Sequence, residues 1–114
     1  MRVLVCGSRG FVDYEWIREE LSALDNVQLV IHGGARGADA LAGRAAQELN
    51  LPQQAFPADW SRYGKRAGYV RNQQMLDEGR PDLVLAFYAG RTPGTSMMVN
   101  IARKANIPVK EFNI

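Results

Sequence analysis

The chain has 114 residues, enough for one hydrophobic core, and we expect a single domain spanning residues 1–114. Apolar residues make up 46% of the chain and charged residues 23%, values typical of globular proteins, which excludes wholesale disorder. The formal net charge of +2 is too small for a general polyanion binder, so nucleic acid is not the expected partner.

The N-terminal sequence enters a strand pattern directly and lacks the apolar stretch and cleavage site of a signal peptide. No apolar run is long enough to span a bilayer, so we expect no membrane association. The single cysteine, Cys6, cannot form an internal disulfide, which is typical of a reducing compartment. A cytoplasmic protein is therefore expected.

Short apolar runs alternate with helical patterns along the whole chain. The runs that predict β-strands cover residues 3–6, 27–31, 53–56, 82–87 and 108–112. Four helices are predicted between them, the first capped by Asp13, the third beginning at Val70 and the last capped by Thr95 or Ser96. Residues 57–68 form a long polar and aromatic segment before the third helix.

Strands that alternate with helices favour parallel pairing through right-handed crossovers. The first and fourth strands lack polar alternation, as expected for central strands covered on both faces. We therefore predict an α/β fold, a three-layer Rossmann-like sandwich around a five-stranded parallel sheet of order 3-2-1-4-5. The winding of such a sheet reverses between strands 1 and 4, and ligands bind there, outside the carboxyl ends of the strands.

Three glycine-containing segments follow the first, second and fourth predicted strands: residues 7–10, 33–37 and 90–95. The carboxyl ends of parallel strands lie at one edge of the sheet, so these segments should meet there. Glycine lets backbone N–H groups approach an anion, and the helix that follows each segment adds a favourable dipole. One such segment alone is more often an ordinary tight turn, but three together favour a phosphorylated ligand.

Familiar nucleotide-binding motifs are missing from the sequence. The first segment is Gly-x-x-Gly rather than G-x-G-x-x-G, and His32 occupies the position of a ribose-binding acid, which argues against an ordinary NAD enzyme. No G-x-x-x-x-G-K-[ST] string occurs, so a P-loop ATPase is excluded. His32 has no second histidine or cysteine beside it, so we interpret it as a structural imidazole and expect no metal and no cofactor.

Residues 60–72 combine four cations and three aromatic side chains with no acid. Guanidinium groups match phosphate geometry, whereas the alternative is a solvated basic loop with an aromatic anchor. Arg71 and Asn72 would lie in the first helical turn, where a cation opposes the helix dipole and therefore indicates an anion. The aromatic side chains that could stack on a base are Trp60, Tyr63 and Tyr69.

Asp39 and two methionines each have a structural and a functional interpretation, whereas Cys6 has a structural one. Asp39 lies in the first turn of the second helix, where it could cap the preceding loop or accept hydrogen bonds from ribose hydroxyls. Cys6, Met97 and Met98 are interpreted as packing residues, although one methionine could line a pocket.

Four motifs occur in order along nearly the whole chain: Gly7-Ser8-Arg9-x-Phe11, His32-Gly33-Gly34-Ala35-x-Gly37-Ala38-Asp39-x-Leu41-Ala42, Arg71-Asn72-x-x-Met75 and Gly94-Thr95-x-x-Met98. Together they resemble the YspA-type, cpYpsA-related branch of the SLOG superfamily. This Rossmann-like group also includes the Lonely Guy phosphoribohydrolases and the DprA/Smf proteins. The resemblance implies a compact domain that binds a nucleotide or nucleotide-derived ligand and forms a homodimer or higher homo-oligomer.

The resemblance also implies that the enzymatic relatives use an arginine and the glutamate of a P-G-G-x-G-T-x-x-E string. Residues 92–98 shorten this string, and Met98 replaces the glutamate. A thioether cannot ionise or accept a proton, whereas N-glycosidic cleavage needs a carboxylate to activate water and stabilise charge. The replacement favours a non-catalytic binding protein.

We therefore predict a binding module for a nucleotide or an ADP-ribose-like phosphorylated ligand, used in signalling or in ligand sequestration. The predicted ligand-binding residues are Gly7, Ser8, Arg9, Gly33, Gly34, Ala35, Asp39, Lys65, Arg71, Asn72, Gly94 and Thr95. The alternative is an N-glycosidase acting on nucleoside 5′-monophosphates, in which Asp39 or Asp13, whichever projects into the cleft, is the carboxylate. An interaction or nucleic-acid module is the weakest candidate, because only residues 62–71 are basic enough to contribute.

Overall fold

Strands and helices alternate in the computed structural model, which describes residues 1–90 and 92–114. Arg91, part of the third glycine-containing segment, lies outside the described residues. The strands are β1 (Arg2–Gly7), β2 (Leu29–His32), β3 (Gln53–Ala55), β4 (Leu83–Tyr88) and β5 (Val109–Asn113). The helices are α1 (Tyr14–Ser22), α2 (Ala38–Glu48), α3 (Trp60–Tyr63), α4 (Ala67–Gln74) and α5 (Pro93–Lys104). A 3₁₀ turn, Gly64–Arg66, precedes α4, and a π-helical turn, Met75–Gly79, follows it.

The five strands form one sheet in the order β3-β2-β1-β4-β5, and every neighbouring pair is parallel. The predicted α/β fold and strand order are therefore confirmed. In the central pair, Val5 of β1 lies opposite Leu85 of β4, and Gly7 lies opposite Phe87. This register brings the chain segments that leave β1 and β4 side by side at the carboxyl edge.

Side chains of β1 and β4 alternate between two separate hydrophobic cores. Val3 and Val5 pack with residues of α1 and α2, whereas Leu4 and Cys6 pack with residues of α5 and of the π-helical turn. Because helices cover both faces, β4 is buried along its whole length, as a central strand of a three-layer sandwich should be. None of the helices in the described part of the chain combines the length and apolar composition that crossing a bilayer requires.

The third helical region begins earlier than the sequence predicts. Residues 57–68, predicted as an irregular segment, contain α3 and the 3₁₀ turn, and α4 begins at Ala67 rather than Val70. Arg71 and Asn72 therefore lie in the second turn of α4, and the argument from an opposed helix dipole was wrong for them. Their importance rests instead on the long-range contacts described below.

The predicted N-cap of α1 is present, whereas the predicted N-cap of α5 is not. The Asp13 carboxylate accepts a hydrogen bond from the Trp16 backbone N–H at 3.2 Å and caps α1 as predicted. Thr95 and Ser96 do not cap α5, which begins with Pro93 after Thr92. Proline is suited to the first position of a helix because its fixed φ is helical and it has no N–H to satisfy.

Candidate ligand-binding site

A cavity of about 480 Å³ opens at the carboxyl edge of the sheet, next to the point between β1 and β4 where the winding reverses. Its walls come from the segments after β1, β2 and β4 and from α4. The predicted site residues that line it are Gly7, Ser8, Arg9, Ala35, Asp39, Lys65, Arg71, Asn72, Gly94 and Thr95. Gly33 and Gly34 line an adjoining cavity instead.

Gly37 joins the segment after β2 to the segment after β1. Its φ is +80°, and a Cβ atom at this position would collide with the backbone carbonyls of Ser8 and Arg9. The following residue, Ala38, donates its backbone N–H to the Ser8 carbonyl at 3.2 Å. Only glycine fits this close approach, which holds the first two segments together.

Ser8 joins the segment after β1 to the segment after β4. Its backbone N–H donates to the Phe87 carbonyl at 2.9 Å, and its Oγ accepts the Ala89 backbone N–H at 2.9 Å. The same Oγ lies 2.6 Å from Oγ1 of Thr92. The buried Ser8 hydroxyl is thus engaged within the protein, and it positions both segments around the cavity.

Arg71 fixes α4 against the segment after β2. Its Nη1 donates to the Gly33 carbonyl at 2.7 Å, and its Nε donates to Oδ1 of Asn72 at 3.1 Å. Burial lowers the pKa of Arg71, Asp39 opposes this effect, and the neighbouring Arg9 adds to it. The guanidinium nevertheless stays charged, because an arginine pKa is far above neutrality.

Asn72 ties α4 to the first turn of α5. It is buried, and its Nδ2 donates to the Gly94 carbonyl at 3.1 Å and lies 3.6 Å from Sδ of Met97. Because Oδ1 of Asn72 also accepts from Arg71, one amide connects the segments after β2 and β4. This is the structural reason for an asparagine at this position.

Asp39 is buried in the cavity wall at the start of α2. Its Oδ2 accepts the Ala35 backbone N–H at 3.3 Å, so it caps the preceding loop. Burial raises the pKa of Asp39, while the hydrogen bond from Ala35 and the charge of Arg71 act in the opposite direction. The position is compatible with both predicted roles, loop capping and contact with a ligand.

Both ring nitrogens of His32 form hydrogen bonds within the protein. Its Nδ1 accepts the Gly34 backbone N–H at 3.1 Å, so Nε2 carries the proton and donates it to Oε1 of Gln53 at 2.9 Å. Within residues 1–90 and 92–114, no group of three or more His, Cys, Asp or Glu side chains could hold a metal ion.

The floor of the cavity is apolar and its rim is aromatic and cationic. Buried Cys6, Met75 and Met98 line the floor, and Met98 is 0% exposed. Burial also raises the pKa of the Cys6 thiol, which keeps it neutral. At the rim, Trp60 and Tyr69 are 52% and 48% exposed.

Two residues considered in the sequence analysis lie away from the cavity. Tyr63 lines a different depression, formed with residues of β3 and α4, so the aromatic side chains at the cavity are Trp60 and Tyr69. Asp13 is exposed at the start of α1 and is not part of the cavity lining. Of the two carboxylates considered for catalysis, Asp39 alone lines the cavity.

Sequence reasoning missed several residues that line the two cavities. In the main cavity these are Gly68, Met75 and Ala89. In the adjoining cavity the important omission is Arg36, which lies inside the second glycine-containing segment. Its cationic side chain, in a segment already predicted to contact an anion, was the signal that could have identified it.

Residues 1–63 match the sequence pattern of the YspA, cpYpsA-related SLOG family. This chain belongs to that family. The chain is also 40% identical over 120 residues to the gene 61 protein of Mycobacterium phage D29, an alignment that covers 97% of this chain and 95% of the phage protein. SLOG membership suggests a role that involves a nucleotide-related ligand.

Proposed function

We propose that this SLOG protein binds a nucleotide or nucleotide-derived phosphorylated ligand in the cavity at the carboxyl edge of the sheet. The observation that carries the proposal is the convergence of three loop segments and three cations on that cavity. Arg9, Lys65 and Arg71 line it, and Asp39 is the one carboxylate among its described lining residues. The cavity thus favours an anion although the net charge of the whole chain is only +2.

The phosphate is proposed to lie against residues 7–10 and the first turn of α5. These segments contribute Gly7, Gly10 and Gly94 to the cavity lining, where backbone can approach a ligand closely. The N-terminus of α5 adds the positive end of a helix dipole. Arg9 and Lys65, both exposed, can adjust to the position of the phosphate.

The nucleoside is proposed to occupy the deeper, less polar part of the cavity. The floor formed by Cys6, Met75 and Met98 suits a base or the apolar face of a sugar, and Trp60 or Tyr69 can stack on a base. Asp39 lines the same cavity and can accept hydrogen bonds from ribose hydroxyls. Met98 leaves the position of the family glutamate without an ionisable group, which supports binding rather than catalysis.

A thermal-shift and calorimetric panel tests this proposal. The probes are nucleoside 5′-monophosphates, nucleoside diphosphates, cyclic nucleotides and ADP-ribose, applied to the purified protein. At least one should raise the melting temperature and bind with measurable heat, and Lys65→Gln should weaken that binding. Arg66→Gln is the matched control, because Arg66 is an exposed neighbour that does not line the cavity. A folded protein that responds to none of these probes would refute the proposal.

A second candidate function is N-glycosidic cleavage of a nucleoside 5′-monophosphate. It is favoured by the buried position of Asp39 in the cavity wall and by the upward direction of its pKa, which suits a general acid or base. Chromatographic detection of free base tests it. Release that disappears in Asp39→Asn, while nucleotide binding persists, would establish the activity, and no release over days would leave the binding function alone.

The remaining predictions concern the setting in which the protein works. A homodimer or higher oligomer, a cytoplasmic location and a role in signalling or sequestration are part of the proposal. Light scattering of the purified protein measures the oligomeric state. A monomer at all concentrations would contradict the predicted homodimer or higher oligomer.

A further inference from the structure

A second cavity, of about 340 Å³, adjoins the first one. The two share part of their lining, namely Arg9, Ala35, Trp60 and Arg71. The second cavity is completed by the segment after β2 and by the start of the segment after β3, through Gly33, Gly34, Arg36, Pro57 and Ala58. The two cavities are therefore direct neighbours at the carboxyl edge of the sheet.

The second cavity has a concentrated positive charge. Arg9, Arg36 and Arg71 line it, and no carboxylate is among its described lining residues. Within residues 1–90 and 92–114, none of these arginines forms a salt bridge. Arg9 and Arg71 repel one another, and the carboxylate near Arg71, Asp39, lines the first cavity and not the second. An anion placed among the three guanidinium groups is therefore favoured electrostatically.

Arg71 lines both cavities and can donate hydrogen bonds into each of them. Its bonds to the Gly33 carbonyl and to Asn72 use Nε and one Nη1 hydrogen. Among residues 1–90 and 92–114, no hydrogen bond uses the Nη2 hydrogens or the second Nη1 hydrogen, so these donors can serve a ligand. A side chain at position 33 would collide with this guanidinium, so the glycine leaves the space that Arg71 occupies. The position of Arg71 is thus set by the protein before any ligand arrives.

We propose that the cavity lined by Arg9, Arg36 and Arg71 is a second anion subsite, and that the ligand is a nucleoside diphosphate or an ester of one rather than a nucleoside monophosphate. This inference rests on the proposed function, since it assigns the first phosphate and the nucleoside to the main cavity. The second phosphate then lies beside Arg9 and Arg71, which line both cavities, and meets the Arg36 guanidinium, whose planar fork matches phosphate oxygens.

Calorimetry with matched nucleotide pairs tests the second subsite. The probes are the 5′-monophosphates and 5′-diphosphates of adenosine, guanosine and cytidine, and ADP-ribose, at constant ionic strength. The unmodified protein should bind the diphosphate, or ADP-ribose, about tenfold more tightly than the corresponding monophosphate, the gain of one charge-assisted contact. Arg36→Gln should remove most of this preference and leave the affinity for the monophosphate unchanged. Arg36 is exposed on a loop, so the variant should fold normally.

Arg62→Gln is the matched control for a general effect of charge. Arg62 is exposed in the neighbouring α3 and lines neither of the two cavities. This variant should keep the preference for the diphosphate. Equal affinity for both members of each pair, or an equal loss for both in Arg36→Gln, would overturn the second subsite and leave the proposed function standing. Failure of every nucleotide to bind the unmodified protein would overturn both.

Discussion

The inner wall and the rim of the cavity are built in opposite ways. Ser8, Asp39 and Asn72 in the wall are buried, and each makes hydrogen bonds to backbone groups of another segment or of the loop before it. At the rim, Trp60 and Lys65 are exposed, and their side chains make no hydrogen bond within the described part of the chain. The wall therefore determines the shape and stability of the site, and the rim is left to contact a ligand.

Gly37→Ala should have the largest effect. The substitution forces an alanine into a positive φ and against the carbonyls of Ser8 and Arg9. We expect it to lower the free energy of unfolding by about 3 kcal/mol, measured by urea denaturation. The matched control is Gly10→Ala, because a Cβ at Gly10 meets nothing within 4 Å. Similar stabilities for the two variants would contradict the role assigned to Gly37.

Asn72→Ala should have the next largest effect, again on stability. The substitution leaves the Gly94 carbonyl without its 3.1 Å donor and removes the acceptor of Arg71. We expect the free energy of unfolding to fall by about 2 kcal/mol, the cost of unsatisfied buried polar groups. Gln73→Ala, at the exposed neighbouring position, should cost less than about 0.5 kcal/mol in the same denaturation experiment.

Trp60→Ala should change binding rather than stability. Trp60 is 52% exposed at the rim, so its removal should leave the unfolding transition nearly unchanged. Loss of stacking on a base should weaken nucleotide binding by about 1 kcal/mol in calorimetry. Tyr63→Ala removes an aromatic side chain outside the cavity and should leave affinity unchanged. Equal losses in both variants would show that the rim assignment is wrong.

Asp39 should make stability depend on pH, with the smallest expected effect. Burial raises its pKa in the folded protein above 3.8, so the folded state retains this proton to higher pH than the unfolded state. Stability is therefore lost as pH rises through the interval between the two values. The unfolding free energy of the unmodified protein, relative to Asp39→Asn, should fall as the pH rises above the ordinary aspartate pKa of about 3.8. If the difference in unfolding free energy between the two proteins is constant or rises with pH, the pKa of Asp39 is not raised on folding.

The sheet order was predictable because alternating strands and helices leave few allowed topologies, and the topology in turn predicted which segments meet at one edge. The start of α4 was not predictable, because Gly68 is a poor helix former and the helix is held by distant partners. Asn72 bonds to Gly94, and Ser8 reaches Thr92, 84 residues along the chain. Such contacts leave no local pattern. The start of α5 and the contribution of Arg36 to the second cavity were missed for a different reason, since Pro93 and the cation in the second glycine-containing segment were local signals.

A titration of ¹⁵N-labelled protein, followed by amide chemical shifts, tests the central claim most directly. The probe is the nucleotide that gives the largest thermal shift. The account predicts that the largest shift changes fall on residues 7–10, 33–37 and 94–96, which surround the two cavities at the carboxyl edge of the sheet. Shift changes confined to α1, to the edge strand β3 or to the opposite end of the sheet would contradict it.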